Sequence, residues 1–148
     1  MNPPDPTAAV DARADDAPSG NDAGGDGGDG GPARAYDRRP PFSAEAEIAV
    51  LGGMLIDRDA VARAVEFVND SMFFREAHRR LFRSMARLFE RGDVIDVITV
   101  AEELKKTGEL DPVGGLEYIA ELVDAVPTAA NIEYHARIVR EKALLRRL

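Results

Sequence analysis

From Pro40 to the end of this 148-residue chain, apolar side chains recur every three or four residues, in segments broken by glycine, proline or a capping residue. No segment sustains the two-residue alternation of a half-buried strand, so the pattern restricts the fold to packed helices. Ser43 can accept hydrogen bonds from the free amides of a first turn, and Glu45 and Glu47 sit where the helix dipole favours negative charge, which predicts a helix over residues 44–56. Asp57 caps a short second helix over about 59–67. A third begins at Phe73 or Phe74 and runs to Glu90, with Gly92 placed to end it. A fourth starts at Asp96 or at Thr99, the latter in capping-box spacing with Glu102, and stops at Gly108. A fifth covers roughly 116–125 and is stopped by Pro127; Thr128 caps a sixth that continues to the chain end. The only β-like fragment, residues 93–98, is too short and isolated to build a sheet. The expected class is all-α, with about five helices in a compact head and one long C-terminal helix.

The third and sixth helices carry the most information. At 100° per residue, Phe74, Ala77, His78, Leu81, Phe82, Met85, Leu88 and Phe89 share one face. Arg75, Arg79, Arg83, Arg87 and Arg91 follow one another on the other side, as a basic surface for nucleic acid or an acidic partner, or as a solvated face relieved by carboxylates such as Glu76 and Glu90. His78 falls among apolar neighbours, where a hydrogen-bonded structural imidazole is expected. The sixth helix has two apolar lines: Ile132, Ala136, Val139 and Ala143 on one side, and Tyr134, Ile138 and Leu145 on another. One line packs on the head and the other needs a further surface. The closing Leu144-Leu145-Arg146-Arg147-Leu148 has no glycine, proline or polar stop, which reads as a helix cut part-way along.

Residues 1–39 differ in kind. They hold eight aspartates, seven of the 13 glycines and five of the nine prolines, and with four arginines they carry half of the net charge of -8. Such a segment cannot bury enough apolar surface to offset the entropy of ordering it, and a disordered leader is expected. The acidic total argues against whole-surface attraction to nucleic acid. The longest run of apolar residues and glycine, residues 48–56, is far below the roughly 20 residues of a membrane span, and the amino terminus lacks a signal-peptide pattern. With no cysteine there is neither a disulfide nor a thiolate metal site, which fits the cytoplasm.

Chemistry-bearing patterns are absent as well. Gly52 and Gly53 lie inside the first helix, where each costs roughly 1 kcal/mol relative to alanine, so a close approach by another element is expected there. Gly114-Gly115 reads as a turn. Neither pair is followed by the Lys-Ser/Thr of a phosphate-binding loop. Ser19, Ser43 and Ser71 fall in the leader, at a cap and in a loop, and two histidines are too few for a metal centre. No catalytic, cofactor-binding or metal-ligating residues are assigned.

Several stretches, in order, carry a resemblance. Pro40-Pro41-Phe42-Ser43-Ala44-Glu45-Ala46-Glu47 leads into Val50-Leu51-Gly52-Gly53-Met54-Leu55; Phe73-Phe74-Arg75-Glu76-Ala77-His78, Ile95-Asp96-Val97-Ile98-Thr99 and Gly114-Gly115-Leu116-Glu117-Tyr118 follow; Val126-Pro127-Thr128-Ala129-Ala130-Asn131-Ile132 opens the last. Together they resemble the amino-terminal domain of the DnaB family of bacterial replicative DNA helicases, over essentially all of residues 40–148. The resemblance implies a helical head followed by a helical hairpin, of which the sixth helix would be the first arm, with hairpins pairing into a hexameric collar built as a trimer of dimers. Tyr134, Ile138 and Leu145 then become oligomerisation candidates. It implies docking of primase, with Glu45 and Tyr118 at the matching motif positions, a possible helicase loader, and DNA engaged through the full hexamer. ATP and Mg2+ would belong to a separate motor domain, which this chain does not contain. The alternative is a stand-alone helical module that binds DNA or protein through Arg75, Arg79, Arg83 and Arg87.

Overall fold

A computed structural model describes residues 40–148; the expected leader, 1–39, lies outside the described residues. Within the unit Pro41–Leu148 the elements are α1 (Ala44–Ile56), α2 (Arg58–Phe67), a 3-10 turn (Asp70–Met72), α3 (Glu76–Glu90), α4 (Val97–Lys106), α5 (Leu110–Val113), α6 (Gly115–Asp124) and α7 (Ile132–Arg146). Among the described residues there is no strand, and no helix is long and apolar enough to cross a membrane. The all-α expectation holds, with one helix more than the periodicity shows.

The architecture is organised around α1, which touches α2, α3, α6 and α7. Ser43 caps it by accepting from the Ala46 amide, and Ala46, Glu47, Val50, Leu51, Gly52, Gly53, Met54 and Leu55 are all buried, so the helix has no single wet face. Gly52 and Gly53 permit this. A methyl group at Gly52 would lie 2.5 Å from the Leu122 carbonyl oxygen and closer still to Val126 Cγ2; one at Gly53 would lie 3.1 Å from Ile132 Cδ1. The end of α6 and the connection to α7 therefore pass directly over the α1 backbone. On the other side of the head, α4 and α5 pack against α3 and α6.

Several boundaries differ from the sequence reading, each for a local reason. The third helix begins at Glu76 rather than at Phe73 or Phe74, because the Asn69 side chain accepts from the Ser71 amide and starts a separate 3-10 turn. The fourth helix does carry a capping box, but its partners are Asp96 and Thr99, not Thr99 and Glu102: Asp96 Oδ1 accepts from the Thr99 amide at 2.8 Å, and Thr99 Oγ1 accepts from the Asp96 amide at 2.9 Å. Helix α5, four residues long, is too short to show periodicity. The last helix starts at Ile132, because Thr128 spends its hydroxyl on the Ala130 amide two residues on, closing a local turn.

Two polar ties hold the periphery. Glu103 on α4, 7% exposed at its side chain, accepts from Arg87 Nε at 3.0 Å and from Arg91 Nη2 at 2.8 Å on α3. Those hydrogen bonds hold its carboxyl down to about 2 from the usual 4.5, against the opposing effect of burial. Near the chain end, the Arg146 guanidinium lies over the Phe74 ring and donates to the carbonyl oxygens of Pro41 at 3.0 Å and Met72 at 2.6 Å.

Two outcomes follow. In urea denaturation, Gly52→Ala is expected to lose about 2 kcal/mol or more, since main chain blocks the added methyl, whereas Gly53→Ala stays within about 1 kcal/mol of wild type because the Ile132 tip can move. The Glu103 carboxyl titrates lower in the folded chain than in the unfolded one, so its contribution is full above pH 4.5 and lost as pH falls through about 2. Glu103→Gln should therefore cost about 1–2 kcal/mol at pH 7, discounted for the partly exposed arginines, and the gap from wild type should close over that acid window in pH-dependent melts.

A candidate docking surface and its buried polar support

Glu45 and Glu47 are two residues apart on α1 and meet opposite environments. Both lie in the first turn, as expected, but Glu45 is exposed and Glu47 only 1% exposed. The Glu47 carboxylate points into the head, where Oε2 accepts from the Phe74 amide at 2.6 Å and Oε1 lies 2.7 Å from Nδ1 of the fully buried His78. The other imidazole nitrogen, Nε2, lies 2.7 Å from the Tyr118 hydroxyl, with the two rings stacked at a 12° interplanar angle. The expected structural imidazole is thus found, wedged between a carboxylate from α1 and a phenol from α6.

Tyr118 does not project freely beside the Gly114-Gly115 turn, as its position in the sequence suggests. It is half-buried with its hydroxyl turned inward. Gly114 makes this possible: at φ +109° it holds a left-handed conformation that an L side chain resists, and a methyl group there would lie 2.8 Å from Tyr118 Cβ. Burial pushes the phenol pKa up, while the Arg75 guanidinium beside it works the other way. Arg75 also lies over the Phe42 ring, which stacks on Phe74 with centroids 4.3 Å apart. Phe42, Phe74, Arg75 and Tyr118 thus link the segment before α1, the segment before α3 and α6.

The arginine stripe of α3 is largely spent on the head itself. Arg79 donates to the Phe73 and Phe74 carbonyls at 2.9 and 2.7 Å and pairs with Glu76. Arg83 pairs with Asp70 at 3.0 Å, and Arg87 and Arg91 converge on Glu103. Asp93 pairs with Arg91 at 3.0 Å and Glu109 approaches Arg83 at 3.8 Å, so among the described residues the relieving carboxylates are Glu76, Asp70, Asp93, Glu103 and Glu109, and Glu90 is not one of them. Among the described residues Arg75 is the member of the stripe with no carboxylate within salt-bridge distance. Ser84, which the sequence reading passes over, is buried in α3 and donates to the Leu81 carbonyl at 2.8 Å.

Helix α7 separates its two apolar lines. Ile132, Ala136, Val139 and Ala143 are buried against the head, while Tyr134 is 64% and Leu145 44% exposed, joined by Leu144 at 51%. Ile138, assigned by periodicity to the second line, is partly buried against the core and sits between the two.

The DnaB-like helicase N terminal domain family matches residues 39–141. The chain is 49% identical over 112 residues to the replicative DNA helicase DnaB of Geobacillus stearothermophilus, covering 76% of this chain and 25% of that protein. It is 48% identical over 123 residues to the replicative DNA helicase DnaB of Leifsonia xyli, covering 83% of this chain and 27% of that protein. The chain thus spans about a quarter of the length of these relatives. The crystal structure of the N-terminal domain of DnaB helicase from Mycobacterium tuberculosis superposes with a TM-score of 0.73 at 46% identity, covering 74% of this chain and 76% of that one. A helical head built around a buried, double-glycine first helix and closed by a helix with one buried and one bare apolar line accords with that match, and the chain belongs to the DnaB-like helicase N-terminal domain family.

Proposed function

We propose that this chain is the assembly and docking domain of a replicative DNA helicase, acting in chromosomal DNA replication in the bacterial cytoplasm. The observation that carries the reading is the bare apolar line of α7: Tyr134, Leu144 and Leu145 stay exposed beside a line that the head already buries, and exposed apolar residues in register on one helix call for a partner surface. A returning helix and a second copy of the chain would cover it, giving paired hairpins and, by closed symmetry, a hexamer as a trimer of dimers. Primase would dock on exposed Glu45 and half-buried Tyr118, and a helicase loader is a further candidate partner. DNA would be engaged by the whole hexamer, and ATP with Mg2+ by a motor domain, since this sequence has no phosphate-binding loop. A stand-alone DNA-binding role for Arg75, Arg79, Arg83 and Arg87 has less support, because three of those four guanidiniums already pair with carboxylates of the head.

Sedimentation velocity tests assembly. Residues 40–148 should be mostly monomeric at micromolar concentration, and a form extended past Leu148 by about 30 to 50 residues, a turn and a returning helix at 1.5 Å per residue, should form stable dimers or hexamers. An extended form that stays monomeric would remove the role given to Tyr134 and Leu145. Titration calorimetry tests docking: Glu45→Ala and Tyr118→Ala should each weaken capture of the cognate primase by about fivefold or more with helicity unchanged. Unchanged affinity in both would move the primase surface elsewhere.

A further inference from the structure

The Glu47–His78 pair is buried, and its second imidazole nitrogen meets the hydroxyl of Tyr118, a residue that is only half-buried. A buried carboxylate and imidazole add little stability over apolar side chains of the same shape, which leaves the pair's effect on that hydroxyl as its distinctive consequence. An ionised Glu47 can only accept, and one of its oxygens already accepts from the Phe74 amide, so Nδ1 carries the imidazole proton. Two states of Nε2 remain. In the neutral ring Nε2 is an acceptor: the phenol must aim its proton inward, and the outer side of its oxygen can only accept. In the imidazolium Nε2–H donates to the phenol oxygen, and the phenolic proton turns outward.

We infer that Glu47 and His78 are positioning residues of the docking surface: they set the donor or acceptor sense of the Tyr118 hydroxyl, so that the neutral form recognises a hydrogen-bond donor on the partner, a guanidinium, ammonium or main-chain amide. This inference rests on the docking reading above. The surroundings agree with an outward acceptor. The charged groups facing the relay are Glu47 from α1, Arg75 from the segment before α3, and Glu121 on α6; of the three, Arg75 is a donor.

The test has two arms on the full chain. Nitrogen-15 NMR should find His78 protonated at Nδ1 in its neutral form, and Tyr118→Phe, which keeps the ring and its packing, should move the Nε2 resonance, because that nitrogen loses its hydrogen-bond partner. Calorimetry against the helicase-binding domain of the primase should show Tyr118→Phe binding about fivefold more weakly at neutral pH. Neutral His78 protonated at Nε2, or Tyr118→Phe binding like wild type while Tyr118→Ala fails, overturns the inference and leaves the docking reading standing. A wild-type chain that does not bind primase overturns the docking reading itself, and with it any part for the hydroxyl in recognition.

Discussion

The close approach of the α6–α7 connection to the backbone of α1 at Gly52 is the constraint on which the head depends. With Leu122 and Val126 pressed onto bare main chain, α1 is enclosed by α2, α3, α6 and α7 and becomes the axis about which they pack. Glu47 lies on the side of α1 that faces into the head, so its charge must be answered from within, and it is, by the Phe74 amide and His78. That answer in turn fixes where the segment before α3 runs and how far Tyr118 can turn outward. Packing and polar geometry are here one arrangement, set by the absence of a single side chain.

How much of this is legible in sequence depends on the distance over which each signal acts. Caps at Ser43 and Asp57 act within a turn and can be read directly, as can the buried line of α7, which is a matter of period. The identity of the capping box at Asp96–Thr99 is harder, because Thr99 and Glu102 offer the same spacing and only the backbone decides between them. Glu47 cannot be read locally at all: its partners lie 27 and 31 residues away, and from composition it is one more first-turn acid. The same holds for Tyr118, whose hydroxyl is claimed by an imidazole 40 residues distant. A buried histidine on an apolar face was the one sequence signal that pointed to a hidden polar partner.

Charge behaves similarly. On a helical wheel the arginines of α3 form a continuous basic stripe, which suggests a field directed outward. In the fold, Asp70 from the 3-10 turn, Glu103 from α4 and Glu76 from α3 itself meet them, and the stripe becomes a seam between elements. Among the described residues Arg75, set on an aromatic stack, is the member of the row that meets no carboxylate. A row of like charges in one helix therefore specifies its neighbours as much as any external partner.

Arg146 ties together chain segments 105 and 74 residues apart, bridging the last turn of α7 to Pro41 and Met72 through one guanidinium. Mechanically, it makes the two ends of the domain a single anchorage. A pull on the last turn of α7 is shared between its buried apolar line and two main-chain carbonyls, one at the start of the domain and one in the 3-10 turn. Strain at the end of that helix is thus passed to the neighbouring segments that carry Phe42, Phe74 and Arg75.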